Sequence, residues 1–576
     1  MAKRVAEVIV DFLVAAGAKH VYGIAGDSLN ALTEVFRRRK DIGWVHTRHE
    51  EAAAFAAGSE AQLTGRLGVC AGSCGPGNLH LINGLYDASR SRVPVVAIAS
   101  QIPSAEIGTN YFQETHPEYL FKECSVYCGV INTPRQVNGV MSIAIQSALG
   151  ECGVSVVVVP GDVAWADADE PRIPDFLAVP PKPTPSERDL TRMAELLNSA
   201  EKVTILAGAG CAGAHDELVA LAGKLKAPVV HTARSKELVE YDNPYDVGMT
   251  GLLGVPSGYY AMMDSDVVVL LGTDFPYRPF YPSQARIIQV DLRREQIGRR
   301  VSVDVGVVGD VGKTLRSLLP LIEEKKKDEH LKKSVGHYAK VREKLDASAQ
   351  GEGGKKPIRP QYLIKLVDRL ASDDAVFTCD VGTPTLWAAR YLSMNGKRRL
   401  IGSFSHGSMA NALAQAVGAQ VSYPNRQVVS LSGDGGLSML MGELLTLAQY
   451  ELPVKVVVFN NGSLAYVELE MKAEGLLPYG TELKNPDFAK LAQSIGISAV
   501  RVEDPAELES ALKAMFEAKG PSLIDVVVNR YELVAPPKLT LKELSGFGLY
   551  MIKALLNNRG DEVIDLAKTS LFDTVF

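Results

Sequence analysis

Gln427-Val428-Val429-Ser430-Leu431, followed at once by Gly433-Asp434-Gly435-Gly436, and then Val454 to Phe459 running into Asn460-Asn461, is the stretch that decides the fold. Each apolar run has strand length and ends in residues that favour turns. Between them Leu437, Leu440, Met441, Leu444 and Leu445 give a helical stripe. Strand, helix, strand is a βαβ unit, and its strands are parallel because the crossover helix returns the chain to its starting edge. Asp434 and Asn461 then both lie past the carboxyl ends of their strands, the edge where open α/β sheets bind ligands.

The same rhythm runs outward from this unit. Val5, Val8, Ile9, Phe12, Leu13 and Ala16 recur at helical spacing, and strand-like runs follow at Val21–Ile24, Leu67–Cys70, Val93–Ala99 and Val154–Val159. Gly26-Asp27-Ser28 reads as a turn into a helix. Pro180 to Pro185 is a stiff proline-rich linker. Beyond it come strands at Val203–Ala207, Val229–His231, Val267–Leu271 and Ile287–Val290, then a charged stretch from Glu323 to Lys333 that reads as a solvated helix between domains. Gln350 to Lys356 is a connector. The expected architecture is α/β, with three doubly wound parallel-sheet domains at 1–182, 183–335 and 336–530 and a tail at 531–576.

A chain of 576 residues is too long for one core. Its net charge of −6 argues against a nucleic-acid binder, which needs a basic face. Seven cysteines, at 70, 74, 124, 128, 152, 211 and 379, are thinly spread and follow no signal peptide, so a reducing cytoplasm is expected. Cys124 and Cys128 lack a second ligand pair at zinc spacing and read as idle thiols. No apolar run reaches membrane-spanning length.

The residue types at the Gly-Asp-Gly turn suit a diphosphate. Glycines let backbone amides approach it closely, and the helix N-terminus adds a favourable dipole. The Asp434 carboxylate, the Asn461 amide oxygen and the Ser463 carbonyl make a hard-oxygen Mg²⁺ site, completed by phosphate oxygens and water. Gly-Asp-Gly alone is also an ordinary β-α turn with an aspartate cap, and it is the Asn-Asn at the end of the next strand that favours the metal. Gly309 to Thr314 resembles the end of a P-loop, but its first glycine position holds Val307, which rules it out.

Further motifs are Thr47-Arg48-His49-Glu50, Ala71-Gly72-Ser73-Cys74-Gly75-Pro76-Gly77-Asn78, Tyr111-Phe112-Gln113-Glu114-Thr115-His116-Pro117 and Gly402-Ser403-Phe404-Ser405-His406-Gly407-Ser408-Met409. With Gly433-Asp434-Gly435-Gly436 they make the chain resemble the pyruvate oxidase and acetolactate synthase family of thiamine-diphosphate enzymes over nearly its whole length. Within that family it is most similar to the quinone-dependent, acetate-forming pyruvate dehydrogenases. The resemblance implies pyrimidine-binding, FAD-binding and diphosphate-binding domains in that order, with thiamine diphosphate, Mg²⁺ and FAD as cofactors.

The roles it implies are specific. Glu50 hydrogen-bonds N1′ of the aminopyrimidine and so activates the cofactor; by itself a glutamate in His-Glu-Glu-Ala-Ala is more often a helix-start acid. Gly407, Ser408 and Met409 contact the cofactor, the Gly407 carbonyl taking the 4′-amino group and Met409 wedging beneath. Asp434, Gly435, Gly436, Asn461, Ser463, Leu464 and Tyr466 line the diphosphate side. Gly208-Ala209-Gly210-Cys211-Ala212-Gly213 follows a strand in the middle domain. Thr250-Gly251-Leu252-Leu253, Thr273-Asp274-Phe275-Pro276-Tyr277 and Asp291 match flavin-contacting segments. Phe112 and Gln113 match a substrate-side loop, and Tyr466 an aromatic near the flavin.

The implied reaction is oxidative decarboxylation of pyruvate to acetate and CO₂, with electrons passing through FAD to ubiquinone or menaquinone. The implied state is a homo-oligomer, dimeric at least and tetrameric by expectation, with Glu50 and the diphosphate site on different subunits. Asp561 to Phe572 matches a lipid-binding tail, which would put the protein on the inner face of the cell membrane; a terminal helix packed on its own subunit is the alternative reading of the same residues. Its apolar Val563, Ile564, Leu566, Leu571 and Phe572 suit a membrane, while Asp561, Glu562, Asp565 and Asp573 against Lys568 do not favour anionic lipid. Tyr466 and Ser405 depart from relatives that carry Phe and Asn there. Alternatives are a phosphate- and oxygen-dependent pyruvate oxidase, an acetolactate-forming carboligase, and a non-catalytic flavoprotein.

Overall fold

Val95–Gln101 and Val154–Pro160 are buried at every residue, as strands covered by helices on both faces must be. The computed structural model describes residues 3–176, 182–351, 356–532 and 541–557, together with Asp561 and Val563. Among these, three six-stranded parallel sheets follow one another along the chain.

The N-terminal sheet runs Gly43–His46, His20–Gly23, Gly68–Gly72, Val95–Gln101, Val154–Pro160, Tyr127–Val130. The C-terminal sheet runs Arg399–Gly402, Val376–Cys379, Val428–Gly433, Lys455–Asn460, Ser522–Val527, Ser498–Val502. Counted from each domain's first strand, the two orders are the same. The middle sheet runs Asp246–Met249, Val229–His231, Val203–Ala207, Val267–Leu271, Arg286–Asp291, Val305–Val308, the doubly wound order in which the direction of winding reverses between the third and fourth strands in space. The α/β expectation thus holds in all three domains.

In the N-terminal and C-terminal domains the helix after the second strand packs on its counterpart in the other domain. Glu50–Thr64 packs on Asn411–Ser422, with Ala52 and Phe55 sharing a buried cluster with Ala414. A side chain at Gly418 would overlap the Ala56 carbonyl, so the helices approach closely only because both surfaces are small. Ser59 Oγ adds a cross-domain bond to the Gln415 carbonyl at 2.8 Å.

Two expectations need correction. The charged stretch is not one helix: 323–328 is irregular, with Lys325 Nζ bonded to the Ala200 carbonyl, and the helix spans Glu329–Ser348. The leucine stripe after Gly436 is split into Asp434–Leu440 and Glu443–Gln449, leaving Leu437 and Leu444 buried but Met441 and Leu445 exposed. The final segment holds a helix at Leu541–Leu556 that packs Phe547, Tyr550 and Ala554 against Leu469. Of the amphipathic segment expected at Asp561–Phe572, all but Asp561 and Val563 lies outside the described residues, as do Pro180, Pro181 and residues 352–355 of the two connectors.

Candidate active site

The Asp434 carboxylate stands at the end of Val428–Gly433 and the start of the next helix. Its Oδ1 accepts from Gly435 N at 2.9 Å, and its Oδ2 from Gly462 N at 2.7 Å and Asn485 Nδ2 at 2.8 Å. Burial raises its pKa, and no cationic side chain pairs with it among the described residues. A buried carboxylate without a counter-ion is what a divalent cation relieves. Asn461 Oδ1 accepts from Ser463 N at 3.0 Å. Gly462 and Leu464 carry the hydrogen bonds of the bridge to residues 481–483, so the Ser463 carbonyl faces the other way, on the side of its own N–H and Asn461. The Gly462 N–H thus ties the Asn461–Ser463 turn to Asp434, and a carboxylate, an amide oxygen and a backbone carbonyl make a hard-oxygen donor set that fits Mg²⁺.

Met409 and Leu464 close over the same turn. A side-chain carbon on Gly435 would lie 2.9 Å from Leu464 Cδ2 and 3.1 Å from Met409 Cε. Gly407 has φ +83, and nothing lies within 4 Å of where its side chain would point, which leaves an open backbone surface beside Met409. On the buried side, Asp380 accepts from Ala412 N at 3.0 Å and Gly433 N at 3.2 Å, and Gly436 is glycine because a side chain would overlap this carboxylate. Burial pushes Asp380 up to about 7.

Glu50 is the first residue of its helix and is buried. Its Oε2 lies 3.0 Å from His80 Nδ1. His49 caps the helix by accepting from Glu51 N and stacks on His80 at 4.3 Å with the planes 25° apart. Donor atoms of His49, Glu50 and His80 lie within 4.8 Å of one another, yet the lone pairs of stacked imidazoles lie in near-parallel planes and do not converge on one ion. The cluster holds a carboxylate in place. The turn before it is held from the C-terminal domain: Glu443 Oε1 accepts from Arg48 N at 2.8 Å and His49 N at 3.0 Å.

In the middle domain, Gly208–Gly210 and Gly272–Thr273 end the two strands that flank the reversal of winding, and a side chain at Gly210 would lie 2.6 Å from Gly272 Cα. Thr250 is buried with its hydroxyl unpartnered, and the next residue, Gly251, has φ +94. A winding reversal with glycines at both strand ends, and an orphaned Thr250 hydroxyl, fit a dinucleotide. Leu252 is 39% exposed and Tyr277 40%, while Thr273 and Phe275 are buried and Pro276 is exposed. Asp274 is engaged with Arg300 at 2.8 Å, so its carboxylate serves the domain. Asp291 ends its strand as expected; burial raises its pKa, and its Oδ1 accepts from Arg293 N at 2.9 Å.

Tyr466, from the helix after Ser463, interacts electrostatically with Tyr277 and Arg390, and burial pushes its phenol up to about 12. The buried Arg390 guanidinium donates to the Leu253 and Gly254 carbonyls at 3.1 and 2.6 Å. The C-terminal domain and the Thr250–Leu253 segment of the middle domain thus meet at Arg390. Phe112 is 78% exposed, and Gln113, at φ +61, packs over Gly75 and accepts from the Cys74 thiol at 3.4 Å. Asn485, Asp380, Glu443 and Arg390 carry no local sequence signal; each acts across more than fifty positions or between domains.

Three family models match the chain: the thiamine pyrophosphate enzyme N-terminal TPP binding domain at residues 3–120, the central domain at 190–318 and the C-terminal TPP binding domain at 380–526. An uncharacterized 42.6 kDa protein of Pseudomonas amyloderamosa is 57% identical over 60% of this chain and 87% of its own. A pyruvate oxidase of Lactiplantibacillus plantarum is 31% identical over 92% of this chain and 90% of its own. An acetolactate synthase large subunit of Parasynechococcus marenigrum is 30% identical over 92% of this chain and 89% of its own.

Proposed function

The chain belongs to the thiamine pyrophosphate enzyme family, and from that premise we propose that it oxidatively decarboxylates pyruvate to acetate and CO₂, passing electrons through FAD to a quinone. The observation that carries the flavin-linked reading is Arg390 of the C-terminal domain, whose buried guanidinium donates to the Leu253 and Gly254 carbonyls beside the proposed flavin segment Thr250 to Leu253. When bound, thiamine diphosphate supplies an electron sink for decarboxylation and FAD a two-electron acceptor.

The residues divide the remaining work. Glu50 holds a proton at the aminopyrimidine ring nitrogen, with His80 fixing its carboxylate. The Gly407 carbonyl and the Met409 side chain orient that ring, with Ser408 between them. Asp434, Asn461 and Ser463 hold Mg²⁺, and the amides of Gly435 and Gly436 face the diphosphate. Phe112 and Gln113 stand on the substrate side, where the water that completes acetate also enters. Thr250 to Leu253, Thr273 to Tyr277 and Asp291 line the flavin side. The reading includes a homo-oligomer, tetrameric by resemblance, in which one subunit's Glu50 serves the other's diphosphate turn.

A peripheral position on the inner face of the cell membrane is part of the proposal. No described helix is long and apolar enough to cross a membrane. The terminal helix supports surface binding, because Leu549, Ile552, Leu555 and Leu556 recur along its outer side and are 45–79% exposed.

The deciding experiment is anaerobic addition of pyruvate to the enzyme loaded with thiamine diphosphate, Mg²⁺ and FAD. Bleaching of the flavin, followed by reoxidation with ubiquinone, is expected. A flavin that stays oxidised while acetolactate accumulates would replace the proposal with carboligation. Peroxide and acetyl phosphate in air would replace the quinone with oxygen.

A further inference from the structure

One face of the helix Pro76–Ser91 in the N-terminal domain grips the loop that carries Gly407 in the C-terminal domain. Asn83, Tyr86 and Asp87 stand on that face at three- and four-residue spacing. The Asn83 amide is fully committed. Its Oδ1 lies 2.8 Å from His406 Nε2, and its Nδ2 donates to Glu51 Oε1 at 2.7 Å and to Ser408 Oγ at 2.9 Å. The reverse orientation would set an amide oxygen against the Glu51 carboxylate, so this one is forced and His406 donates through Nε2. Tyr86 stacks on His406 with the planes 8° apart. The buried Asp87 accepts from Ser403 Oγ at 2.7 Å, and Ser403 Oγ accepts in turn from Ser408 N at 3.0 Å.

Gly407 lies between the two residues that Asn83 holds. Its own N–H bonds to the Ser403 carbonyl at 2.7 Å, and its outer surface is open. Ser408 passes the restraint on by donating to the Met409 carbonyl at 2.8 Å. The third arm of Asn83 reaches Glu51, the residue after Glu50. A single amide therefore couples both flanks of the exposed glycine to the start of the helix that presents Glu50.

We propose that Asn83 is a positioning residue for cofactor activation: it sets the Gly407 carbonyl and Met409 of its own chain's diphosphate side and, through Glu51, braces the helix whose Glu50 serves the partner subunit's cofactor. This rests on the reading of Gly407, Met409 and Glu50 as the aminopyrimidine contacts. Asn83 touches neither substrate nor cofactor. It acts through Ser408, His406 and Glu51.

The test is a double-mutant cycle on the intact protein with FAD bound. Asn83→Ala, Ser408→Ala and the double variant are compared for thiamine diphosphate affinity in Mg²⁺ and for the rate at which the bound cofactor exchanges its C2 proton in deuterated water. Each single variant should weaken binding roughly tenfold and slow exchange, because a buried partner is left unsatisfied. The double should be no worse than the more severe single variant, since both remove one clamp. Flavin content should be unchanged. Wild-type affinity and exchange in Asn83→Ala, or strictly multiplicative effects in the cycle, would overturn the proposal. Should Asn83→Ala not fold, Ser408→Ala removes only a hydroxyl and carries the same expectation; wild-type values there overturn it equally. Glu50→Gln serves as the reference. If it leaves exchange untouched, the site reading itself fails, whereas lost exchange in Glu50→Gln beside normal exchange in Asn83→Ala refutes only the clamp.

Discussion

Asn485 Nδ2 lies 2.8 Å from Asp434 Oδ2, and the same nitrogen lies 3.0 Å from Asn460 Oδ1. One amide thus orients the carboxylate at the diphosphate turn against the end of the neighbouring strand. Asn460 is in turn held by Asp525, whose Oδ1 accepts its Nδ2 at 2.9 Å. Asn485→Leu keeps the volume and removes the donor. Mg²⁺-dependent cofactor affinity is expected to fall roughly tenfold, the cost of one lost bond to a buried charged group. Titrating Mg²⁺ at fixed thiamine diphosphate checks this, and unchanged affinity would show that Asp434 needs no such support.

Glu50→Gln removes the acid while keeping the side chain's shape and its contact with His80. Decarboxylation should drop by about 100-fold or more, the usual worth of a positioned acid-base group. Cofactor affinity should change little, because the Mg²⁺ and diphosphate ligands lie elsewhere. The split between turnover and binding is the measurement. Equal losses in both would recast Glu50 as a structural helix-start acid.

In the N-terminal and middle sheets the four inner strands were legible in the sequence and the two edge strands were not; in the C-terminal sheet only the central pair was. In the N-terminal and middle domains the apolar runs predict four strands each, and each sheet has six. The added strands are Gly43–His46 and Tyr127–Val130, then Asp246–Met249 and Val305–Val308, and every one of them is an edge strand. Each of these edge strands is four residues long and contains a glycine, so it lacks the longer apolar run by which an inner strand shows itself. The site divides in a similar way. Asp434 and Asn461 declare themselves by standing at strand ends in one βαβ unit. Asn485, Asp380 and Asn83 do not, because an amide or carboxylate in a loop or helix shows its partner only once distant segments have met. Glu50 and Met409 were legible only through the family resemblance.

Asp246 predicts how the middle domain responds to pH. Burial pushes its carboxyl from the ordinary 3.8 up to about 7. His231, with Nε2 at 3.6 Å, is held down to about 3 by burial and stays neutral, so the pair is not an ion pair at neutral pH. Between the two carboxyl values the folded chain keeps a proton that the unfolded chain has released. Stability therefore falls as pH rises through this window, and the loss is complete above about 7. Asp246→Asn should flatten that slope and raise the unfolding midpoint at pH 8 more than at pH 5. A parallel shift at both values would place the carboxyl's titration outside the window.

Gly546 is the point of closest approach between the terminal helix and the helix Ala465–Ala473, where a side chain would overlap the Ala473 carbonyl. Gly546→Val must therefore push the two helices apart. The buried Phe547, Tyr550 and Ala554 lose their packing, and overpacking of this kind costs about 1–3 kcal/mol. The consequence extends inward. Lys472 is caged between the rings of Tyr531 and Tyr550 at 5.5 and 5.2 Å and ion-paired with Glu468 at 2.7 Å. Glu468 Oε2 also accepts the Ser463 hydroxyl at 2.6 Å. Displacing Tyr550 strips one wall from the cage and loosens the anchor of a proposed Mg²⁺ ligand. Gly546→Val should speed proteolysis of the terminal segment, increase flotation with lipid vesicles and weaken Mg²⁺-dependent cofactor binding severalfold. Faster proteolysis with unchanged cofactor binding would show that the Lys472–Glu468 pair holds Ser463 without help from the terminal helix.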